Sequence, residues 1–330
     1  MSKSALNTFH SAGKKPIIQM QNQTATILMI RPKAFRSNEQ TAQDNHFQVG
    51  SQGLDPETIQ KRALVEFDNM VSSLREHGLD ILVIDDLEDA DTPDSIFPNN
   101  WVSFHEDGTV CLYPMYAENR RKERRMDILD VLRDEGFLID RIIDFSEQEA
   151  AGLFLEGTGS IILDRVERIA YASISERTDE GLLLEFCKVM GYAPCVFHAN
   201  QTAGSERLPI YHTNVMLSVG DGFVVVCLDS VDEMEERHEL IATIEESGKE
   251  IIELSEAQCE RFAGNILQVG SGENRCLVMS DSAYEALDSE QKGRLESYVP
   301  ILHFPLNTIE ICGGGSARCM MAEVFLPQKN

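Results

Sequence analysis

Four residues with chemically active side chains recur at nearly the same distance along the units of this chain. Each stands 20–22 residues after the end of a predicted helix, and in chain order they are Asn100, Glu156, His212 and Cys319. A cysteine and a histidine can act together as a nucleophile and its acid/base partner. A carboxylate can hold a substrate N–H group or transfer a proton. Equivalent positions in a radial repeat converge on one axis, so the spacing predicts a single pocket for the four.

The sequence around three of these residues strengthens that prediction. Glu156 opens the turn EGTGS, whose glycines permit close approach to the backbone. His212 comes directly before the apolar run VMLSV. Cys319 follows the run GGGSAR, which we expect to be flexible, and is predicted to open the last strand, CMMAEVFL. Its thiolate could be activated by a neighbouring cation, either Arg318 or a protonated His212. Each residue alone is more typical of a structural role, and only their joint placement favours catalysis.

A repeat of five units sets these positions. In each unit an apolar helical pattern is followed at once by a strand, and two more strand-like runs precede the next helix. Four of the helices stop at a glycine with a period of 55–58 residues, namely Gly78, Gly136, Gly191 and Gly248. The first helix begins at Asp55-Pro56, and the fifth ends near Tyr298 without a glycine. A period of this length indicates radial repetition, with an ordinary α/β sheet as the alternative. The fourth unit shows no counterpart of the four residues near Gln268.

Composition narrows the classes of function. The chain has 330 residues and a formal charge of −26, which disfavours binding to nucleic acid or to anionic membranes. Its main basic run, RRKERR from Arg120 to Arg125, is predicted to be the solvated face of a helix. No apolar run is long enough to span a bilayer, and no signal-peptide pattern is present. Eight scattered cysteines without metal-like spacing predict reduced thiols, a cytoplasmic protein, no metal and no cofactor.

At this point the sequence resembles the guanidine-modifying superfamily with the pentein fold, and within it the citrulline-utilization hydrolases. The resemblance rests on six segments spread over nearly the whole chain: MIRPKAFRSNEQTAQDNHFQ (29–48), FPNNW (97–101), LEGTGSIIL (155–163), SERT (175–178), YHTNV (211–215) and GGGSARCM (313–320). It implies an α/β five-bladed propeller of ββαβ units with pseudo-fivefold symmetry. Residues 1–22 would be a flexible tail and residues 23–330 a single catalytic domain.

The resemblance also implies roles for individual residues. Cys319 would be the nucleophile, His212 the general acid/base, and Glu156 the carboxylate that holds the substrate nitrogens. Arg177 matches an arginine that binds the substrate α-carboxylate in arginine deiminases. The other residues implied in binding the small amino-acid substrate are Asn100, Asn214, Arg318 and Asn45. The resemblance is also compatible with a homodimer of this chain.

One departure from the relatives bears on the substrate. Arginine-acting relatives carry aspartate where this chain has Asn100 and Asn214. Paired carboxylates suit a cationic guanidinium, whereas an amide offers both a donor and an acceptor to a neutral ureido group. The sequence therefore predicts hydrolysis of citrulline to ornithine, ammonia and carbon dioxide. An arginine or methylarginine deiminase, an amidinotransferase, or a non-catalytic amino-acid-binding protein remain the alternatives.

Overall fold

The computed structural model describes residues 21–88 and 90–329, so the predicted tail over residues 1–22 lies almost wholly outside the described residues. The described residues form a mixed α/β fold in which strands and helices alternate. The strands are β1 (Thr26–Arg31), β2 (Asp80–Asp85), β3 (Val102–Phe104), β4 (Thr109–Leu112), β5 (Arg141–Asp144), β6 (Ile162–Asp164), β7 (Ile169–Ser173), β8 (Ala193–Phe197), β9 (Asn200–Ala203), β10 (Glu206–Pro209), β11 (Leu217–Val219), β12 (Phe223–Val226), β13 (Glu250–Glu253), β14 (Leu267–Val269), β15 (Cys276–Ser280), β16 (Ile301–Phe304) and β17 (Ala322–Glu323).

The α-helices of the described residues range from one turn to 21 residues in length. They are α1 (Pro56–Glu76), α2 (Asp127–Asp134), α3 (Gly157–Ser160), α4 (Glu180–Met190), α5 (Met234–Glu246), α6 (Glu256–Cys259), α7 (Asp281–Ala286), α8 (Ser289–Tyr298) and α9 (Asn307–Gly313). Within the described residues, no helix is both long enough and apolar enough to cross a membrane.

Five three-stranded sheets share one topology. In each sheet the middle strand runs antiparallel to the first strand and parallel to the third. The sheets are β3-β4-β5, β6-β7-β8, β11-β12-β13, β14-β15-β16 and β17-β1-β2. The last sheet joins both ends of the described chain, because β17 pairs with β1. A parallel pair needs a crossover, and in every unit that crossover is helical, which gives the predicted order strand–strand–helix–strand.

Local chemistry explains where the helices begin and end. The side chain of Asp55 accepts a hydrogen bond from the backbone N–H of Thr58, and Pro56 occupies the first position of α1. All four predicted stop glycines have positive φ, between +73° and +92°, which side chains with a Cβ rarely adopt. The fifth helix, α8, ends at Tyr298 as predicted and continues into extended backbone at Val299 without a left-handed residue.

Helix faces and the first strands of the sheets form the core. Helix α1 buries Ala63, Phe67, Met70 and Leu74, while Leu64 is only half-buried. The first strand of every sheet is short and almost fully buried. The turn that leads into each first strand therefore ends inside the molecule, and these turns carry most of the predicted site residues, whereas Asn45 and Arg177 lie in loops elsewhere in the units.

Two local predictions were wrong. Cys319 does not open the last strand, because it lies in a 3₁₀ helix, Ala317–Met320, and β17 begins three residues later. The basic run is not the solvated face of one helix either. It begins in a 3₁₀ helix, Glu118–Glu123, which turns the side chain of Arg120 inward until it is only 2% exposed.

Candidate active site

The turns before the first strands meet at one narrow cleft. The cleft is nearly closed, with a cavity volume of only about 10 Å³, and five of the predicted site residues line it: Asn45, Asn100, Arg177, His212 and Cys319. Two more, Glu156 and Asn214, contact residues of that set directly. The structure thus brings seven of the eight predicted residues together, and Arg318 is the exception.

The sulfur of Cys319 lies among neutral amides. The Nδ2 atoms of Asn214 and Asn265 are 3.3 Å and 3.2 Å from Sγ, and both are placed to donate a hydrogen bond. The backbone N–H of Cys319 donates to the carbonyl of Ser316 at 3.0 Å, which closes the 3₁₀ turn. The sulfur of Cys319 therefore has a fixed direction and faces two N–H donors.

The glycine-rich segment before Cys319 is held by contacts. Gly313 belongs to α9, and Gly314 adopts φ +64°. The carbonyl of Gly314 accepts hydrogen bonds from Asn45 Nδ2 at 3.1 Å and from the Tyr211 hydroxyl at 2.7 Å. Asn45 thereby supports the cleft wall through the backbone close to Cys319.

His212 and Glu156 form a buried pair. His212 Nε2 lies 2.8 Å from Glu156 Oε2, and Glu156 Oε1 accepts the backbone N–H of Tyr116 at 2.9 Å. Burial alone would raise the pKa of Glu156, but Arg177, the bond from His212 and the charge of Arg120 outweigh it and hold that pKa well below its usual range. Burial lowers the pKa of His212, against the pull of Glu156.

These pKa shifts assign the protons of the pair. An ionised carboxylate only accepts, so Nε2 of a neutral His212 must carry the hydrogen and Nδ1 the lone pair. The lone pair on Nδ1 is the basic site of the ring. His212 can therefore accept a proton at Nδ1 while Glu156 stabilises the imidazolium that results.

Two glycines of the EGTGS turn make room for the other site residues. A Cβ on Gly159 would lie 2.4 Å from Asn100 Nδ2 and 2.8 Å from His212 Nδ1. A Cβ on Gly157, which has φ +47°, would lie 2.4 Å from the carbonyl oxygen of Asn99. Close backbone approach was predicted for these glycines, and the structure identifies the groups that approach.

Arg120 is a cleft residue that the sequence did not reveal. Its Nη1 donates to Asn100 Oδ1 at 2.9 Å, and its Nη2 donates to the carbonyl of Phe97 at 3.2 Å. Its Nε and Nη2 hold Glu123 at 3.1 Å and 2.9 Å. Asp94 Oδ2 lies 3.9 Å from Nε. No sequence signal distinguishes Arg120 from the other basic residues of the run, which are half-buried or exposed.

The ionic side of the cleft holds more carboxyl groups than guanidinium groups. Burial raises the pKa of Glu123 to about 8, even with Arg120 beside it. Burial also raises the pKa of Asp94. Protonation of one carboxyl group balances the charge inside the molecule at lower cost than a further buried anion.

Arg177, predicted to bind a substrate carboxylate, already holds a carboxylate of its own chain. Its Nε and Nη2 each donate to an oxygen of Asp44 at 2.6 Å, and Nη2 also donates to the carbonyl of Thr41 at 3.2 Å. Nη1 points to Glu156 Oε2 at 3.5 Å, and the guanidinium lies 4.9 Å from the ring centre of Tyr211. The geometry for carboxylate recognition is thus formed.

Arg318 does not face the cleft. Its guanidinium donates to Glu323 at 3.0 Å and to the carbonyl of Met321 at 3.1 Å, and it lines a separate small cavity together with Arg165. Successive residues of the 3₁₀ turn point in different directions, so the side chain next to Cys319 leaves on the other side of the turn. The expected share of Arg318 in substrate binding has no support in this geometry.

The fourth unit does contribute a residue, although the sequence interpretation found none. Asn265 comes two residues before β14, just as Asn100 comes two residues before β3. Counting forward from the helix ends missed it, because the connection from Gly248 to Asn265 is shorter than in the other units. Counting back from the predicted strand would have found it. Among the described residues, no group of three or more His, Cys, Asp or Glu side chains could hold a metal ion.

Comparison with solved structures shows the fold that these residues share. One similar structure is the N-terminal domain of ArgZ bound to product, where ArgZ is described as an arginine dihydrolase from the ornithine–ammonia cycle in cyanobacteria. Its TM-score is 0.69 at 17% identity, over 92% of this chain and 99% of that domain. AgrE in complex with ornithine and NAD⁺ gives 0.68 at 16% identity over 94% of this chain and 40% of that chain. This chain thus spans the whole N-terminal domain of ArgZ but 41% of the full-length ArgZ chain.

A dimethylarginine dimethylaminohydrolase with an S-methyl-L-thiocitrulline adduct gives a TM-score of 0.62 at 17% identity over 90% of this chain and 98% of that chain. No curated protein matches the chain significantly in sequence. The fold and the family match together place the chain in the guanidine-modifying pentein superfamily. Within it, the sequence matches the family described as N,N dimethylarginine dimethylhydrolase, eukaryotic, over residues 31–326, and the chain belongs to that family.

Proposed function

We propose that this protein is a cysteine hydrolase that cleaves the C–N bonds of the ureido group of citrulline. The overall reaction consumes one water and yields ornithine, ammonia and carbon dioxide. The proposal is supported by three groups that lie together in one cleft. They are the thiol of Cys319, the Nδ1 lone pair of His212 and the ionised carboxylate of Glu156. The observation that carries the choice of substrate is the orientation of Asn100, which a buried arginine determines.

The orientation follows from the chemistry of the guanidinium. Arg120 can only donate hydrogen bonds, so the atom of Asn100 that faces it at 2.9 Å is the carbonyl oxygen. The amide nitrogen, Nδ2, then points away and has no hydrogen-bond partner among the described residues. A buried N–H group of this kind requires an acceptor. A ureido oxygen is an acceptor, whereas a guanidinium has none to offer.

Asn214 has the complementary arrangement. Its Nδ2 faces Cys319 Sγ, and its Oδ1 has no partner among the described residues. One asparagine thus offers a donor and the other an acceptor, which is the pattern that a C=O group flanked by N–H groups requires. The positive charge of Arg120 beside Asn100 adds a penalty against a cationic substrate in a buried site.

In the proposed mechanism the thiol proton of Cys319 passes to a base and the thiolate attacks the ureido carbon. A new S–C bond forms, and the electron pair of the C=O bond moves to the oxygen, where the Nδ2 of Asn100 can donate to it. The tetrahedral species collapses with loss of one nitrogen, which takes a proton from His212. Water then attacks the thiocarbamate carbon, the S–C bond breaks and the thiolate of Cys319 leaves. The carbamic acid that results loses its remaining nitrogen as an amine, which breaks the second C–N bond and gives carbon dioxide. Either nitrogen of the ureido group can leave first.

The charged groups around the pair are proposed to recognise the amino-acid end of the substrate. Arg177 would exchange the carboxylate of Asp44 for the substrate α-carboxylate and keep the same two-pronged geometry. Asp94 Oδ1, which has no partner among the described residues, would accept a hydrogen bond from the α-ammonium group.

Hydrolysis of arginine is the second candidate function. The relatives favour it, since ArgZ is named as an arginine dihydrolase and one of its variants carries a covalently bound reaction intermediate. The cleft also offers carboxyl groups, Glu156 and Asp94, to a guanidinium. A covalent intermediate in a relative supports the cysteine mechanism for either substrate.

We further propose that residues 23–330 form one catalytic domain in which the five sheets stand as blades around a pseudo-fivefold axis. Contacts between first strands support a ring, since β17 contacts β3, β6 contacts β11, and β11 contacts β14. Helix α3 contacts β3 and β6, and so connects two more neighbours. The homodimer stays a prediction.

The test is ammonia release from citrulline, arginine and dimethylarginine with one enzyme preparation. We expect the highest kcat/KM for citrulline. The double variant Asn100→Asp with Asn214→Asp should lower that value by at least about tenfold and increase the relative rate with arginine. Asn99→Asp is the matched control, because Asn99 lies in the same turn and bonds Thr158 instead of Arg120. A higher kcat/KM for arginine than for citrulline would overturn the proposed substrate.

A further inference from the structure

Asn265 is the residue of the fourth unit that reaches the nucleophile. Its side chain is completely buried, and each of its polar atoms has a defined partner. One hydrogen of Nδ2 points to Cys319 Sγ at 3.2 Å and the other to the carbonyl of Asn214 at 3.0 Å. Oδ1 accepts the backbone N–H of Arg318 at 3.1 Å. The amide thus joins the turn of the nucleophile to the turn of Asn214.

The backbone before Asn265 is built to bring it there. Phe262 adopts φ +62°, a left-handed conformation that is unfavourable for a residue with a bulky side chain. A Cβ on Gly264 would lie 2.4 Å from the carbonyl oxygen of Val215, so only glycine lets the two turns touch. Strain of this kind persists where the surrounding structure holds it, and it is common at functional sites.

We propose that Asn265 is a catalytic residue, which shares with Asn214 the stabilisation of the Cys319 thiolate in the hydrolysis proposed above. Two N–H donors converge on the sulfur, and neither carries a charge. When the thiol is protonated, its hydrogen can turn to Asn265 Oδ1, which lies 3.6 Å from Sγ. When the proton passes to the base, Nδ2 of the same amide holds the anion. The residue serves both protonation states without moving.

This inference rests on the proposed function for its role in catalysis, but its test requires no substrate. The measurement is the rate at which iodoacetamide alkylates Cys319 as a function of pH, read by mass spectrometry of the peptide that contains it. Asn265→Asp replaces the donor by a group that can carry negative charge. We expect it to move the pH profile upward by about one to two pH units. Asn265→Ala should move it in the same direction by less.

Gln268→Glu is the matched control. Gln268 lies in β14, three residues further on, and its Oε1 accepts the backbone N–H of Asp221 at 2.7 Å, a bond that glutamate can also accept. The change from amide to acid is the same, but the side chain does not contact the sulfur. Its alkylation profile should equal that of the wild-type protein.

Three results would overturn the inference. The first is a folded Asn265→Asp protein, with wild-type circular dichroism and cooperative melting, whose profile is unchanged. The second result applies if Asn265→Asp does not fold, and it is an unchanged alkylation profile of Asn265→Ala. The third is a wild-type Cys319 that reacts no faster at neutral pH than a cysteine in an unfolded peptide. A shifted profile in a protein without activity on citrulline would support the inference and overturn the proposed function. Activity on citrulline together with an unshifted alkylation profile would support the proposed function and overturn the inference about Asn265.

Discussion

The two walls of the cleft differ in the charge of the side chains that form them. Around Cys319 the nearest side-chain groups are the neutral amides of Asn214 and Asn265. Around Glu156, beyond His212 at 2.8 Å, lie two permanent cations, Arg177 at 3.5 Å and Arg120 at 3.8 Å. Both walls are buried, so the difference comes from the choice of side chains and not from access to water.

The difference suits what each group does during turnover. In the proposed mechanism the sulfur alternates between neutral and charged states, and fixed dipoles can serve both states without a permanent field. The carboxylate of Glu156 has to stay ionised while His212 gains and loses a proton, and fixed cations hold it in that form.

Removal of the nucleophile should have the largest effect. Cys319→Ser should lower kcat by at least about a thousandfold, because an alkoxide is much harder to form than a thiolate. The measurement is ammonia release from citrulline. Cys312→Ser serves as the control, since Cys312 is buried seven residues earlier and its Sγ faces the carbonyl of Gly50 at 3.7 Å. Loss of activity in the control alone would show that the wrong cysteine has been chosen.

Neutralisation of the carboxylate wall should come next. Glu156→Gln keeps the shape but removes the charge that stabilises a protonated His212, and should lower kcat by about 10²–10⁴-fold. Glu149→Gln is the matched control, because Glu149 also accepts a backbone N–H, from Met115, and pairs with Arg124 outside the cleft. Equal losses in both variants would indicate a structural role for Glu156 and remove the contrast between the walls.

The effect on substrate affinity should be smaller. Arg177→Ala should raise KM for citrulline about 10- to 100-fold, which corresponds to the loss of charge-assisted hydrogen bonds, with a lesser change in kcat. Arg318→Gln should leave KM near the wild-type value, because Arg318 pairs with Glu323 in a different cavity. If Arg318→Gln raised KM and Arg177→Ala left it unchanged, the substrate carboxylate would have to bind in the cavity of Arg318 and not beside Arg177.

The features that could be predicted from the sequence are local ones. A glycine with positive φ ends a helix whatever surrounds it, so Gly78 and its three equivalents fixed the element order correctly. Apolar strand runs can also be recognised in the sequence, since the run VMLSV contains β11. Residues next to such landmarks, including His212 and Cys319, could therefore be placed near one another.

The features that could not be predicted depend on tertiary packing. Arg120 is chemically identical to the half-buried arginines beside it, and only the fold turns it inward to Asn100. The bond between Arg177 and Asp44 joins residues 133 positions apart. Asn265 was missed because the length of its connection differs from that of the other units. A motif shows which residues are present, whereas burial and pairing decide which of them form the wall of a site.

The smallest effect concerns stability, and it tests the charge balance of the ionic wall. Burial raises the folded-state pKa of Glu123 to about 8, above the value of roughly 4.3 expected in the unfolded chain. Between these values the folded protein keeps a proton that the unfolded chain has lost. The stabilisation is complete below about pH 4 and is lost as the pH rises through about 8. The urea midpoint should therefore fall as the pH rises from about 4 to about 8 and level off above that.

Glu123→Gln should flatten this dependence, because the amide keeps an oxygen for Arg120 but cannot lose a proton. Glu118→Gln, an exposed residue at the start of the same 3₁₀ helix, should retain the wild-type pH dependence. Other titrating groups are common to all three proteins, so the comparison isolates one carboxyl group. A Glu123→Gln protein whose midpoint falls as steeply as that of the wild type would mean that Glu123 is ionised beside Arg120. The proton that reduces the negative charge of the ionic wall would then be bound by another carboxyl group. Asp94 is the remaining candidate, because burial raises its pKa as well.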